Sequence, residues 1–507
     1  MAMPSNRSTV DSIRSHLGDD WKVLQYVYDL LRDEKIFSVA NSDTDEKLVH
    51  FAQPHKLKQL IDLTIEDDAS RNVDEILDIC RTVIHYSVKT SHRRFHNQLF
   101  GQMDPFGLAG SWITEALNTS VYTYEVAPVF SLIETEIIQK MCQICGYERG
   151  DGIFSPGGSI SNMYGLVLAR YKCFPNVKNT GMSGMPPLVF FTSEESHYSF
   201  RKAAHWLGFG ADNCVLVRTN DRGQMLSSEL EAQILQALKE ERVPFFVNAT
   251  AGTTVLGAFD DIHAIADVCE KYSLWLHVDA CLGGSALLSP THRYRLMAGI
   301  ERSNSLAWNP HKSLGAPLQC ALFLTRESDL LSRCNSVEVN YLFQQDKFYD
   351  VSYDTGNKSV QCGRKIDAFK VWLMMKARGI RGFGCLVDNA LHTSQLLVAK
   401  LRERGSQGFR LVLDEYQFTN VSFWYIPRQL RGLPETDEWR QRLYSVAPKI
   451  KERMMRCGSL MIGYSPLLYR NLGNFLRMAL TCFPLLEESE LDFMLDEIQR
   501  LGEECDC

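Results

Sequence analysis

Long apolar runs are missing from these 507 residues. None approaches the roughly 20 apolar positions that a membrane-spanning helix needs, so no membrane segment is expected. Clustered positive charge is missing as well. The densest basic stretch is Ser91-His92-Arg93-Arg94, and 54 Lys and Arg stand against 61 Asp and Glu, a balance that offers nucleic acid no electrostatic footprint. No Gly-x-Gly-x-x-Gly follows the first strand, which removes the dinucleotide-binding fingerprint. The opening stretch, Met1 to His16, lacks the apolar centre of a secretion signal, and a cytoplasmic protein is expected. Cysteine is plentiful at 15, but metal-ligand spacing is scarce. Cys142 and Cys145 form a lone C-x-x-C with no second pair nearby, so reduced core thiols and no metal are expected. Internal repeats and low-complexity linkers are absent too, which points to closely packed domains.

What is present has ordinary globular composition, and it changes character along the chain. Residues 1–90 read as helical, with apolar residues at helix spacing around Trp21–Leu31, Leu57–Leu63 and Val73–Cys80. Residues 91–370 alternate short β-rich runs with helical stretches. The runs begin at Leu188, Cys214, Pro244, Leu274, Ser305 and Cys320, and several are continuously apolar, as strands buried on both faces of a parallel sheet are. A capping-box pattern, Ser228-Glu-Leu-Glu231, predicts a helix start with Leu230, Ile234, Leu235 and Leu238 on one face. Residues 371–507 read as a smaller C-terminal α+β domain, with Asn420–Pro427 alternating like a half-buried strand.

Two residues carry chemistry together. Asp279 ends an apolar strand, and Lys312 follows the next one in Asn309-Pro-His-Lys312. Carboxyl ends of parallel strands are where α/β sheets bind ligands, so both side chains can face one crevice. A lysine there can form a Schiff base with a carbonyl, and an aspartate can keep a pyridine nitrogen protonated. Singly, the aspartate reads more readily as an N-cap or salt-bridge partner and the lysine as a surface residue; the pairing, with the parts that follow, tips the balance. Pro156-Gly-Gly-Ser-Ile-Ser-Asn162 opens an apolar helix, a pattern that brings backbone N–H groups and a helix N-terminus to a phosphate. His197, after the Leu188 strand, is placed to stack on an aromatic ring.

Together with Ser196-His197-Tyr198, Ala251-Gly-Thr-Thr-Val-Leu-Gly257 and His277-Val-Asp279-Ala280, these motifs resemble, in order, the pyridoxal-phosphate-dependent group II amino-acid decarboxylases. The resemblance runs from about residue 50 to the end. It implies a fold-type-I, aspartate-aminotransferase-like architecture with a large, mostly parallel seven-stranded sheet, and a homodimer with active sites at the subunit interface. It also implies pyridoxal 5'-phosphate bound covalently to Lys312, with Asp279 on the ring nitrogen and His197 on the ring face. Gly158, Ser159, Asn309 and His311 would surround the phosphate, with Thr250 near the ring hydroxyl. Tyr341, in Asn340-Tyr341-Leu-Phe-Gln-Gln, falls at the position of the family's proton donor.

Further details resemble the acidic-substrate branch. Gln98 and Phe100 match its substrate strip, Arg477 matches the residue that binds the distal acid group, and Gln361-Cys-Gly-Arg364 agrees. Phe100, Ser120 and Tyr122 are similar to the cysteine sulfinate and aspartate decarboxylases, whereas glutamate decarboxylases carry a small residue, Asn and Phe there. The implied reaction is decarboxylation of cysteine sulfinate to hypotaurine or of aspartate to β-alanine. The alternatives are a glutamate decarboxylase making 4-aminobutyrate, an aldehyde synthase, which Tyr341 disfavours, and a silent homologue, which intact Lys312, Asp279 and His197 disfavour. The chain departs from the family at Cys281-Leu282, where Ala-Trp is usual, at Ser313–Pro317, and at His96 in place of Phe.

Overall fold

In the computed structural model, which describes residues 21–37, 46–65, 72–337, 343–344 and 346–505, the apolar runs become a seven-stranded sheet. A two-residue strand, β1 (Phe95–His96), comes first but belongs elsewhere. The large sheet is built from β2 (Asp151–Ser155), β3 (Leu188–Ser193), β4 (Cys214–Val217), β5 (Val243–Thr250), β6 (Trp275–Asp279), β7 (Ser305–Trp308) and β8 (Ala321–Thr325), in the order β2-β8-β7-β6-β5-β3-β4. Neighbours are parallel except along β8, which runs antiparallel to both β2 and β7.

Each central strand is buried on both faces, which explains its unbroken apolar sequence. Side chains alternate between two cores: Val189 and Phe191 join one, Leu188 and Phe190 the other. Register then sets the site. Thr250 pairs with Asp279 and Asp279 with Ala307, so three strands end level at one carboxyl edge.

A second sheet takes β9 (Phe409–Leu411), β10 (Asn420–Tyr425), β11 (Met461–Leu467) and β12 (Leu472–Ala479) in the order β1-β11-β12-β10-β9. The β1 strand runs parallel to β11, with Phe95 against Met461, and this carries Asn97, Gln98 and Phe100 to the small sheet beside Arg477 of β12. A long helix, Asp367–Glu403, connects the two sheets and breaks at Gly379, whose φ of 68° suits a residue without a side chain.

Three local expectations change. The helix around Ser228 begins at Ser227 with no side-chain cap; Glu231 instead accepts from Lys271 Nζ at 2.6 Å and Tyr272 OH at 2.9 Å. Its buried face is Leu230, Ile234 and Ala237, while Leu235 and Leu238 are exposed. All six residues of β10 are buried rather than every second one, because Leu256 and Ala258 of the large domain and Trp439 and Leu443 of the helix Asp437–Tyr444 cluster with Trp424 on the face expected to be open. The strand β2 was not evident, since Asp151 and Gly152 depress β propensity.

Candidate active site

A cavity of about 210 Å³ opens at the carboxyl edge of the large sheet. Five of the seven strands contribute to it at their ends or following turns: Gly158 and Ser159 after β2, His197 and Tyr198 after β3, Thr250, Gly252 and Thr254 from β5 onward, Asp279 and Cys281 from β6, and Asn309 and Lys312 after β7. The sequence-derived set of Gly158, Ser159, His197, Thr250, Asp279, Asn309 and Lys312 therefore converges on one space.

The floor is Asp279. Its Oδ2 accepts from Asn162 Nδ2 at 2.8 Å and its Oδ1 from the Cys281 backbone N–H at 3.1 Å. Burial alone pushes this carboxyl up, but His197, Lys312 and the Cys281 N–H outweigh burial and hold it below the usual carboxylate range. Asp279 is thus ionised at neutral pH. His197 lies across the cavity with its Nδ1 accepting from the Ser199 N–H at 3.3 Å, and burial lowers its pKa against the pull of Asp279. Tyr198, a residue the sequence motifs held without a role, meets the His197 ring at 4.2 Å.

Lys312 enters through a turn closed by its backbone N–H on Asn309 O at 3.0 Å, and its Nζ makes no hydrogen bond among the described residues. The Asn309 Oδ1 atom is buried without a partner. Opposite, the helix Gly158–Cys173 points its N-terminus into the cavity, leaving its first N–H groups without intrahelical acceptors. A Cβ at Gly158 would sit 2.4 Å from Cys281 Sγ, so glycine is required there and the unusual Cys281 fills the adjacent space. Burial drives the Cys281 thiol well above its ordinary value, which keeps it protonated and packed.

Other expected residues lie outside this cavity's lining. His311 turns its Nδ1 to the Cys320 backbone, at 2.6 Å from the carbonyl oxygen and 3.0 Å from the nitrogen, and burial lowers its pKa to about 4. Phe100 packs with Leu48, Val49 and Phe95, and Gln98 is exposed. Ser120 Oγ accepts from the Arg364 N–H at 2.9 Å, and the Tyr122 carbonyl accepts from the Gly356 N–H at 2.8 Å. Arg364 is itself engaged by Glu134 in a buried ion pair. Tyr341 lies outside the described residues.

Arg477 stands apart from the other arginines. Its Nη1 donates to Thr254 O at 2.9 Å and its Nη2 to Asn97 O at 3.0 Å, so it bridges a cavity-lining residue and the strip after β1. Both partners are neutral, Nε is buried without a partner, and burial lowers the guanidinium pKa with no carboxylate opposing it. The arrangement as a whole offers an amine, an ionised acid, a helix end suited to an anion and a partly buried cation with no opposing carboxylate. Among the described residues no group of three or more His, Cys, Asp and Glu is spaced to hold a metal ion.

Comparison with known proteins agrees with this geometry. The pyridoxal-dependent decarboxylase conserved domain matches residues 54–426. Cysteine sulfinic acid decarboxylase of Mus musculus is 50% identical over 483 residues, covering 95% of this chain and 96% of that protein. Acidic amino acid decarboxylase GADL1 of Homo sapiens is 52% identical over 464 residues, covering 91% of this chain and 88% of that protein. The crystal structure of mouse CSAD superposes with a TM-score of 0.92 at 48% identity, covering 96% of this chain and 100% of that one.

Proposed function

The chain belongs to the pyridoxal-dependent decarboxylases, and on that premise we propose that it decarboxylates a short acidic amino acid, cysteine sulfinate to hypotaurine or aspartate to β-alanine. The cofactor is pyridoxal 5'-phosphate, and three features of the cavity fit it. The helix N-terminus at Gly158 suits a phosphate, the Asn309 carboxamide lining the cavity has an NH₂ that can donate to it, and Lys312 Nζ has no competing partner among the described residues. In this reading Gly158, Ser159 and Asn309 hold the phosphate end, with His311 behind them keeping the turn in shape. Asp279 would keep the ring nitrogen protonated, His197 would stack on the ring, and Thr250 would lie near the ring hydroxyl. Bound, the cofactor supplies an electron sink for the pair left when CO₂ departs.

The remaining steps belong to the chain's own side chains. Lys312 supplies the amine that binds the cofactor carbonyl. Tyr341 is assigned the proton that returns to the substrate's α-carbon. Arg477 binds the distal carboxylate or sulfinate, and it is the single observation that carries the substrate class. A partly buried guanidinium with two neutral carbonyl partners, a buried unpartnered Nε and no opposing carboxylate is well placed to take an anionic ligand.

Phe100 occupies the strip that Arg477 clasps through Asn97, with Gln98 beside it. In this reading the substrate's distal end extends from the cavity to that strip, where a bulky ring shortens the room by about one methylene, a difference worth about 10–200-fold in discrimination. Phe100→Ser is therefore expected to move the kcat/KM ratio of glutamate to aspartate upward by a factor in that range; an unchanged ratio would place the end of the pocket elsewhere.

A homodimer completes the site in this reading. Ser120 and Tyr122 do not line their own chain's cavity, and they follow an exposed apolar face made by Phe106, Trp112, Ile113 and Leu117. Val129 and Leu132 extend it, giving a patch of the kind that marks a protein interface. The expected solution mass is twice 57.7 kDa, and a stable species of 57.7 kDa in active preparations would contradict the dimer. Buried free thiols at Cys145, Cys269 and Cys482 suit a reducing compartment, which supports the cytoplasm; recovery of the active protein from a secretory fraction would contradict that placement.

A further inference from the structure

A buried polar chain runs behind the cavity floor. Trp275 Nε1 donates to Ser305 Oγ at 2.8 Å, Ser305 Oγ meets His277 Nδ1 at 2.8 Å, and His277 Nε2 meets Asn162 Oδ1 at 3.1 Å. Asn162 Nδ2 then donates to Asp279 Oδ2 at 2.8 Å and to Ser199 Oγ at 3.0 Å. All six side chains are buried. Polar groups in such a place cost free energy unless every member finds partners, and here each does.

The proton positions follow from the charged end. An ionised carboxylate only accepts, so Asn162 faces Asp279 with its NH₂ and leaves its carbonyl for His277. His277 Nε2 must then carry the ring's proton, while Nδ1 accepts from the Ser305 hydroxyl, whose lone pair takes the Trp275 N–H. Burial lowers the His277 pKa to about 4, and a neutral ring with one proton is what this arrangement requires. Glycine at 165 makes room for that ring, since a Cβ there would sit 2.9 Å from His277 Nδ1.

Asn162 also reaches the opposite side of the cavity. Ser199, its second acceptor, donates its backbone N–H to His197 Nδ1. One carboxamide therefore links the carboxylate on the cavity floor with the imidazole across from it. We propose that Asn162 is a positioning residue, whose carboxamide fixes the Asp279 carboxylate, and through Ser199 the His197 ring, in the orientation that the cofactor ring needs. The inference rests on the reading of Asp279 as the partner of the ring nitrogen.

The test is pyridoxal phosphate binding by the full-length apoprotein, followed by a pH titration of the bound cofactor's visible absorbance. Asn162→Ala removes one hydrogen bond to a buried charge and is expected to weaken cofactor affinity by about 10–100-fold. The pH midpoint of the absorbance should shift with it. Asn162→Asp keeps the shape but sets an acceptor against Asp279, and should weaken binding further. His277→Gln, which retains an amide donor towards Asn162, should shift the absorbance in the same direction by less, and serves if Asn162→Ala fails to fold. Asp279→Ala is measured in parallel. Should Asp279→Ala lose the cofactor while the folded Asn162 and His277 variants bind it normally with an unshifted absorbance, the positioning role is refuted and that of Asp279 stands. A fall in thermal midpoint alone would equally refute it, because a purely structural residue does that. Normal cofactor binding by Asp279→Ala would instead overturn the reading beneath the inference.

Discussion

Lys312→Ala should yield a folded protein that has lost decarboxylation by about 10³-fold or more, together with the visible absorbance of the bound cofactor. Folding should survive because the Lys312 Nζ holds no hydrogen bond among the described residues, so its removal strands no buried acceptor. Chemistry should not survive, because Lys312 is the one amine lining the cavity among the described residues. The substitution also removes one of the groups that hold the Asp279 carboxyl down, so that carboxyl rises towards its ordinary range and grips a ring nitrogen less well. Visible absorbance and turnover at the wild-type level would end the assignment of Lys312.

Arg477→Met should act on the substrate instead. Losing one partner of a desolvated charge pair costs about 2–5 kcal/mol, so KM for aspartate and cysteine sulfinate is expected to rise by about 30-fold or more. The apoprotein should keep its thermal midpoint within a few degrees. A partly buried guanidinium with no counter-ion adds little to the fold, and methionine fills similar space. The cofactor's absorbance should stay as in wild type, since the Arg477 hydrogen bonds go to the Thr254 and Asn97 carbonyls and to none of the residues assigned to the cofactor. Unchanged KM values would move acid recognition to another residue, and loss of the cofactor would make Arg477 part of its site.

These two residues differ in how readily the sequence exposes them. Lys312 and Asp279 are legible because central parallel strands need unbroken apolar runs, which makes β6 and β7 plain and sets the residues at their carboxyl ends in a crevice. The Gly157-Gly158 helix start is legible for a similar reason, since few residues tolerate that approach to Cys281. Arg477 could be matched by motif, but the absence of a counter-ion could not, because its partners come from Asn97 and Thr254 in distant parts of the chain. The same holds for β1. Two residues pairing with Met461 and Ile462 leave no periodic trace, yet that pairing brings the Phe100 strip to the small sheet.

Side-chain competition hid other features. Glu231 has the spacing of a helix cap but is taken by Lys271 and Tyr272, and Arg364, in a motif that suggested the substrate site, is taken by Glu134. Asn162 was visible only as the last letter of a glycine-rich motif. Its role depends on Asp279, Ser199 and His277 meeting at one carboxamide, which spacing along the chain does not encode. His311, placed beside the phosphate by resemblance, turns its Nδ1 to the Cys320 backbone, a contact that spacing along the chain does not show. The pairing of Ser120 with the Arg364 backbone likewise became visible only in three dimensions.

The most direct test of the account is CO₂ release by the purified protein with added pyridoxal phosphate, comparing cysteine sulfinate, aspartate, glutamate and an aromatic amino acid while oxygen uptake is monitored. The account predicts turnover of the first two without oxygen consumption, glutamate slower by about 10–200-fold, and no reaction with the aromatic substrate. Preference for glutamate or for the aromatic amino acid would contradict the short acidic pocket, oxygen uptake with aldehyde formation would contradict simple decarboxylation, and no turnover with cofactor bound would contradict the enzyme itself.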